Sequence, residues 1–147
     1  MLNIKTGAFM LSYQDVILFI LSKAYQKVYA TFKSKTQIYG MTPMQGLVLH
    51  ALYEEEGLSA GELGKRLVLD SATLSGVLDR MAEGGWIVKN TAQDDRRVLN
   101  IQLTDKARRF RDDFLKDTEE LHRHVLSTFG VEEKLLLIRM LKDLRKT

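Results

Sequence analysis

Cysteine is absent from this 147-residue chain. That rules out disulfides, thiolate metal sites and any switch that works by oxidising the chain's own thiol. Proline occurs once and glycine only ten times, so turns are scarce and long helices are favoured over a many-stranded fold. Long apolar runs are missing too. The stretch from Val16 to Leu21 is far shorter than a membrane span, and Lys23, Lys27 and Lys33 follow it. No small-residue cleavage site comes after it, so a signal peptide is not expected, no membrane association is implied, and the cytoplasm is the expected compartment. There is no phosphate-binding glycine loop, no nucleophile beside a base and no metal-ligand cluster. His122 and His124 stand two apart on a helix and point in different directions. An enzyme is therefore not expected, and no catalytic residue, metal or cofactor is implied.

What is present is a core-forming composition, 45% hydrophobic, with an uneven charge. Residues 1–41 hold five lysines and one acid, residues 42–103 six bases and nine acids, and residues 104–147 eleven bases and nine acids. The formal net charge is +3, yet the central segment is acidic, so bulk charge is poor support for nucleic-acid binding.

Helical periodicity divides the chain. Ser12 can cap a helix over 12–36, in which Ile17, Leu21, Ala24, Val28 and Phe32 repeat at helical spacing and Phe19, Ile20, Tyr25 and Tyr29 widen the stripe. So broad an apolar face suits a core helix that also serves a dimer contact. Thr42-Pro43-Met44-Gln45 is a capping box with proline at the first helical position. Leu47, Val48, Ala51 and Leu52 form the expected buried stripe, and Glu54, Glu55 and Glu56 form a solvated end. Ser59-Ala60-Gly61-Glu62 starts a short helix, the turn Leu67-Val68-Leu69 follows, and Asp70 caps a second helix ending at Gly84-Gly85. This is a helix-turn-helix pattern. Strands over 86–91 and 98–103 then enclose a polar loop, Ala92-Gln93-Asp94-Asp95-Arg96-Arg97, of hairpin length. Thr104 caps a long helix over 104–129, Gly130 breaks it, and a dense apolar helix covers 132–145. The expected fold is mainly α (α+β), a winged helix-turn-helix with long N- and C-terminal helices forming a dimerisation region. Residues 1–41 hold the N-terminal segment and first dimerisation helix, 42–103 the winged helix, and 104–147 the C-terminal dimerisation helices.

On a helical wheel of 70–83, Leu74, Val77, Leu78 and Met81 share the core side. Ala72, Gly76, Asp79 and Glu83 point away, with Thr73, Ser75 and Arg80 on the flanks. The first half of the outward face is small and neutral, which suits entry into a major groove. Ser71, Thr73 and Ser75 can bond bases or phosphates, and Ala72 can pack on a thymine methyl. Gly76 costs about 1 kcal/mol in a helix relative to alanine, and close approach of another surface would explain it. Asp79 and Glu83 would repel phosphates unless that half of the helix leans out of the groove. Arg80 either clamps a phosphate or pairs with an acid and positions the wing. Arg96 and Arg97 at the hairpin tip can enter a minor groove, with Asp94 and Asp95 orienting their guanidinium groups. A plain solvated turn is the competing reading. Lys65, Lys89, Lys106 and Arg108 are less specific phosphate candidates.

The order and spacing of these stretches resemble the MarR family of multiple-antibiotic-resistance-type regulators. Leu47-Val48-Leu49 after Thr42-Pro43, Glu62-Leu63-Gly64-Lys65-Arg66-Leu67, Asp70-Ser71-Ala72-Thr73-Leu74-Ser75 and Leu78-Asp79-Arg80-Met81 carry the likeness. Asp95-Arg96-Arg97, then an alternating strand and Leu103-Thr104-Asp105-Lys106, is its most specific part. The resemblance covers roughly residues 12–145. It implies a bacterial transcriptional regulator, often a repressor, acting as a homodimer on double-stranded DNA at a pseudo-palindromic operator. By the same analogy Ser71, Ala72, Thr73 and Ser75 read the major groove and Arg97 the minor groove. Release by small aromatic or phenolic effectors is implied as well, at a site where the first, second and fifth helices meet. Tyr25, Tyr29, Met44 and His50 would line that site, or serve as ordinary core and interface residues. The rival reading is a winged helix used for protein–protein interaction without DNA.

Overall fold

The structure, a computed structural model, describes residues 11–91, 93–95 and 97–146. Among these residues seven α-helices and one antiparallel hairpin follow in order. They are α1 (Ile17–Thr36), α2 (Pro43–Glu54), α3 (Ala60–Leu67), α4 (Ser71–Glu83), β1 (Ile87–Thr91), β2 (Leu99–Leu103), α5 (Asp105–Arg109), α6 (Arg111–Val125) and α7 (Val131–Leu144).

Short polar side chains set the helix starts. Thr42 Oγ1 accepts from the Gln45 N–H at 3.3 Å, while Gln45 Oε1 accepts from the Thr42 N–H at 2.8 Å. Ser59 and Glu62 repeat this reciprocal pair, and the bonds from Ser59 hold the Glu62 carboxyl below its usual range. Asp70 Oδ1 accepts from the Thr73 N–H at 2.8 Å and Oδ2 from the Thr73 hydroxyl at 2.6 Å. Those bonds, the hydroxyl first, lower the Asp70 carboxyl. Thr104 Oγ1 accepts from the Ala107 N–H at 3.2 Å and donates to the Gly85 carbonyl at 2.7 Å, tying α5 to the root of the hairpin. Each such cap satisfies a backbone N–H that the first turn of its helix leaves without a partner.

The core joins Val48, Leu49 and Leu52 of α2, Leu63 of α3, Leu74, Val77, Leu78 and Met81 of α4, Trp86, the strand residues Ile87, Ile101 and Leu103, and Phe114 of α6. The α2 stripe is rotated from the expected one. Leu49 and Tyr53 are buried, Ala51 is half-buried, and Leu47 is 46% exposed. The Tyr53 hydroxyl explains the rotation, since it donates to the Ala107 carbonyl at 2.6 Å and so turns that side of α2 inward. Burial pushes this phenol up to about 12, with the Arg111 charge opposing the shift.

Three boundaries differ from the sequence reading. Ser12 caps a 3-10 turn, Tyr13–Asp15, and extended Val16 separates that turn from α1. The helix expected over 104–129 is broken at Phe110 and ends at Val125. Phe110 is held in an aromatic cluster, its ring 6.0 Å from Tyr39 and 5.8 Å from Trp86, which fixes the turn there. The third difference is beside the hairpin. β1 and β2 pair from Ile87↔Leu103 to Thr91↔Leu99. In addition, Ser59 bridges Asn100, and the Ile101 N–H donates to the Leu58 carbonyl at 3.0 Å. A short extended piece before α3 thus borders β2, too brief to have a readable period.

The outer helices are different in kind. Only Thr36 is buried in α1, and no residue is buried in α7. Ile17, Leu18, Ile20, Val131, Leu135, Met140 and Leu144 all face outward. No helix among the described residues is long and apolar enough to cross a membrane.

Candidate nucleic-acid interface

The helix-turn-helix is built around a tight turn. Val68 takes a left-handed conformation (φ 54°, ψ 49°) with its side chain 69% exposed, and the Leu69 N–H returns to the Gly64 carbonyl at 2.9 Å. Gly64 permits this closeness, since a Cβ there would lie 3.3 Å from the Leu69 carbonyl oxygen.

On α4 the core side is Leu74, Val77, Leu78 and Met81, all buried. Ser71, Ala72, Thr73 and Ser75 are exposed. The Thr73 hydroxyl hydrogen is committed to Asp70, so this side chain presents only acceptor capacity outward. Gly76 has no reason within the chain to be glycine. A Cβ there would meet nothing nearer than the tip of Arg80, at 4.0 Å. Arg80 is exposed and pairs with no described acid, so of its two readings the pairing with an acid finds no partner in the structure. Lys65 is exposed on α3 and faces the same groove as Ser71 and Ser75. That open groove runs between α3, α4 and the hairpin, and Asp79 of α4 lines it together with Lys89 and Leu99 of the hairpin.

At the hairpin tip, Asp95 Oδ1 accepts from the backbone N–H of Arg97 at 2.9 Å. The aspartate shapes the turn and leaves the exposed Arg97 guanidinium without a described acid beside it. Arg96 lies outside the described residues. Three secondary phosphate candidates are engaged elsewhere. Lys89 pairs with Asp79. Lys106 donates to the Gly84 carbonyl at 2.8 Å and lies 4.2 Å over the Trp86 ring. Arg108 pairs with Glu56 and Asp105. The acids ending α2 are therefore not merely solvated, since Glu55 takes Arg66 and Glu56 takes Arg108. None of these cross-element pairs has a signal in sequence spacing.

A sequence profile described as MarR family matches residues 39–98, which hold α2, α3, α4 and β1. A crystal structure of a probable transcriptional regulator from Pseudomonas aeruginosa is 30% identical, with TM-score 0.84, over 90% of this chain and 99% of that one. The chain belongs to the MarR family. Its curated relatives include the HTH-type transcriptional regulator TtmR of Methylorubrum extorquens, 43% identical over 77 residues. That match spans 52% of this chain and 40% of the relative, less than half of its length. The structure of Bordetella bronchiseptica BpsR, a protein whose DNA binding is regulated by 6-hydroxynicotinic acid, is 21% identical with TM-score 0.86 over 94% of this chain and 99% of that one, a likeness of fold. Such relatives are transcriptional regulators and not enzymes.

In this MarR-family chain α1, α2 and α6 enclose a cleft lined by Phe32, Thr36, Gly46, His50, Phe114 and Asp117. Tyr39 closes one wall, its hydroxyl donating to Asp117 at 2.6 Å, and burial with that bond raises the phenol well above its usual range. Of the residues singled out in the sequence, His50 lines the cleft and lies 3.4 Å from Glu54. Met44 packs against the core instead. Tyr25 and Tyr29 contact each other on the exposed side of α1. The Tyr39–Asp117 pair was not legible, because its members stand 78 residues apart.

Proposed function

We propose that this MarR-family chain is a cytoplasmic, homodimeric repressor that binds a pseudo-palindromic operator. In this reading Ser71, Ala72, Thr73, Ser75 and Gly76 face the major groove, Lys65 and Arg80 contact phosphates, and Arg97 and Arg96 enter the minor groove. One observation carries it. Around the small neutral face of α4, Lys65, Arg80 and Arg97 have no described acid within ion-pair distance, while Lys89, Lys106 and Arg108 are tied to acids or to a carbonyl. Cations left unpaired beside a helix face without bulk are what a phosphate backbone requires. The apolar, uncovered faces of α1 and α7 support a second copy of the chain as their cover. The cleft lies where the outer helix α1 and helix α6 meet α2 of the winged helix, which supports it as the place where a small aromatic effector would act.

Selection of bound DNA from a random pool, followed by gel shift with Arg97→Ala, tests the reading. We expect a palindromic site, a light-scattering mass of two chains, and binding by the variant that is weaker with a salt slope shallower by about one. A wild-type chain that selects no DNA, yet binds a protein partner with little salt dependence, would favour the interaction-module alternative.

A further inference from the structure

The outward face of α4 carries an acid where an acid is least welcome. Ser71, Ser75 and Asp79 follow one another at four-residue spacing and line the groove between α4 and the hairpin. A free carboxylate there would repel any phosphate backbone laid in the groove. Asp79 is not free. Lys89, on the β1 side that also carries Ile87, extends across the groove and pairs with it. Lys89 is the less exposed member, its side chain 31% accessible against 52% for Asp79. Glu83, one turn further along α4, has no basic partner among the described residues, and it lies outside the groove lining.

From this geometry we infer that Lys89 is a positioning residue and not a phosphate contact. It cancels the charge of Asp79 and holds the root of the hairpin against α4, so the groove meets DNA without a net negative charge at that point. The inference rests on the interface proposed above. An exposed ion pair contributes little to fold stability, so its effect is read in DNA affinity.

A double-mutant cycle on the full-length chain separates the roles, with Asp79→Asn, Lys89→Met and the double variant titrated against the selected site at several salt concentrations. Lys89→Met strands the acid. With one charge worth a slope of about 0.9 in log affinity against log salt, binding at ~0.1 M salt should weaken roughly eightfold. Adding Asp79→Asn should restore affinity to within about twofold of wild type, with the salt slope unchanged, because one charge of each sign is gone. Asp79→Asn alone should bind at least as tightly as wild type, and Glu83→Gln should change little. Urea midpoints for all variants show that each is folded. If the double variant stays weak and its slope drops by about 0.9, Lys89 touches phosphate and the inference is wrong. It is equally wrong if Lys89→Met binds like wild type. A wild-type chain that retains no DNA overturns the interface reading itself and this inference with it, a result distinct from either of those.

Discussion

Replacing Gly76 with alanine should make the protein more stable and a poorer DNA binder. Glycine within a helix costs about 0.8–1.0 kcal/mol relative to alanine. Inside the chain nothing opposes recovering that energy, because the added methyl would come no closer than 4.0 Å to its nearest neighbour, the end of the flexible Arg80 side chain. Urea unfolding should therefore show a gain of about 1 kcal/mol, or about 2–4 °C in Tm for a domain of this size. Binding should move the opposite way. If base edges pack against the helix at this position, one extra methyl in a filled contact costs about 1–3 kcal/mol, or roughly five- to 150-fold in affinity. Fluorescence anisotropy with the selected site, run beside the unfolding series, measures both. A stabilised variant with unchanged affinity would refute the placement of α4 against DNA. A destabilised variant would refute the claim that no intrachain contact holds position 76 to glycine.

Two further outcomes are expected. Val68 is β-branched in a left-handed conformation, which costs about 1–2 kcal/mol, and at 69% exposure it surrenders little packing. Val68→Asn, a residue that tolerates this conformation, should stabilise the fold by about 0.5–1 kcal/mol in urea, and a loss would show that the isopropyl group packs after all. The Asp70 carboxyl is held below its ordinary 3.8 in the folded chain. Its contribution is thus complete above that value and lost as pH falls through the lowered one. Asp70→Asn keeps a capping acceptor that does not titrate, so its urea midpoint should fall less steeply than wild type from about pH 5 to about pH 3. Parallel curves would remove the cap from the acid response.

What could be read beforehand was what local chemistry encodes. Thr42, Ser59, Asp70 and Thr104 mark helix starts because a cap and its partner lie three residues apart. The core side of α4 follows from a single period. What escaped is long-range or depends on rotation. Leu47 and Leu49 are equally apolar, and which of them turns inward depends on distant partners such as Ala107, 54 residues from the Tyr53 hydroxyl that bonds to it. The break at Phe110 needs Tyr39 and Trp86 to be in place. The bases divide into free and engaged only in three dimensions. Lys89 and Arg80 look alike in the chain, yet one is paired and the other is not.

The hinge between α4 and the hairpin also holds the protein's only tryptophan. Trp86 is 4% exposed, with its backbone N–H donating to the Met81 carbonyl at 2.9 Å and its backbone carbonyl accepting from the Thr104 N–H at 3.2 Å. Tyr39 and Phe110 pack against the indole and the Lys106 ammonium lies over its face. Any swing of the hairpin relative to α4 must disturb that cage. The chain therefore carries a single shielded tryptophan at that junction, and a shift in its emission on DNA binding is the expected label-free sign of wing movement.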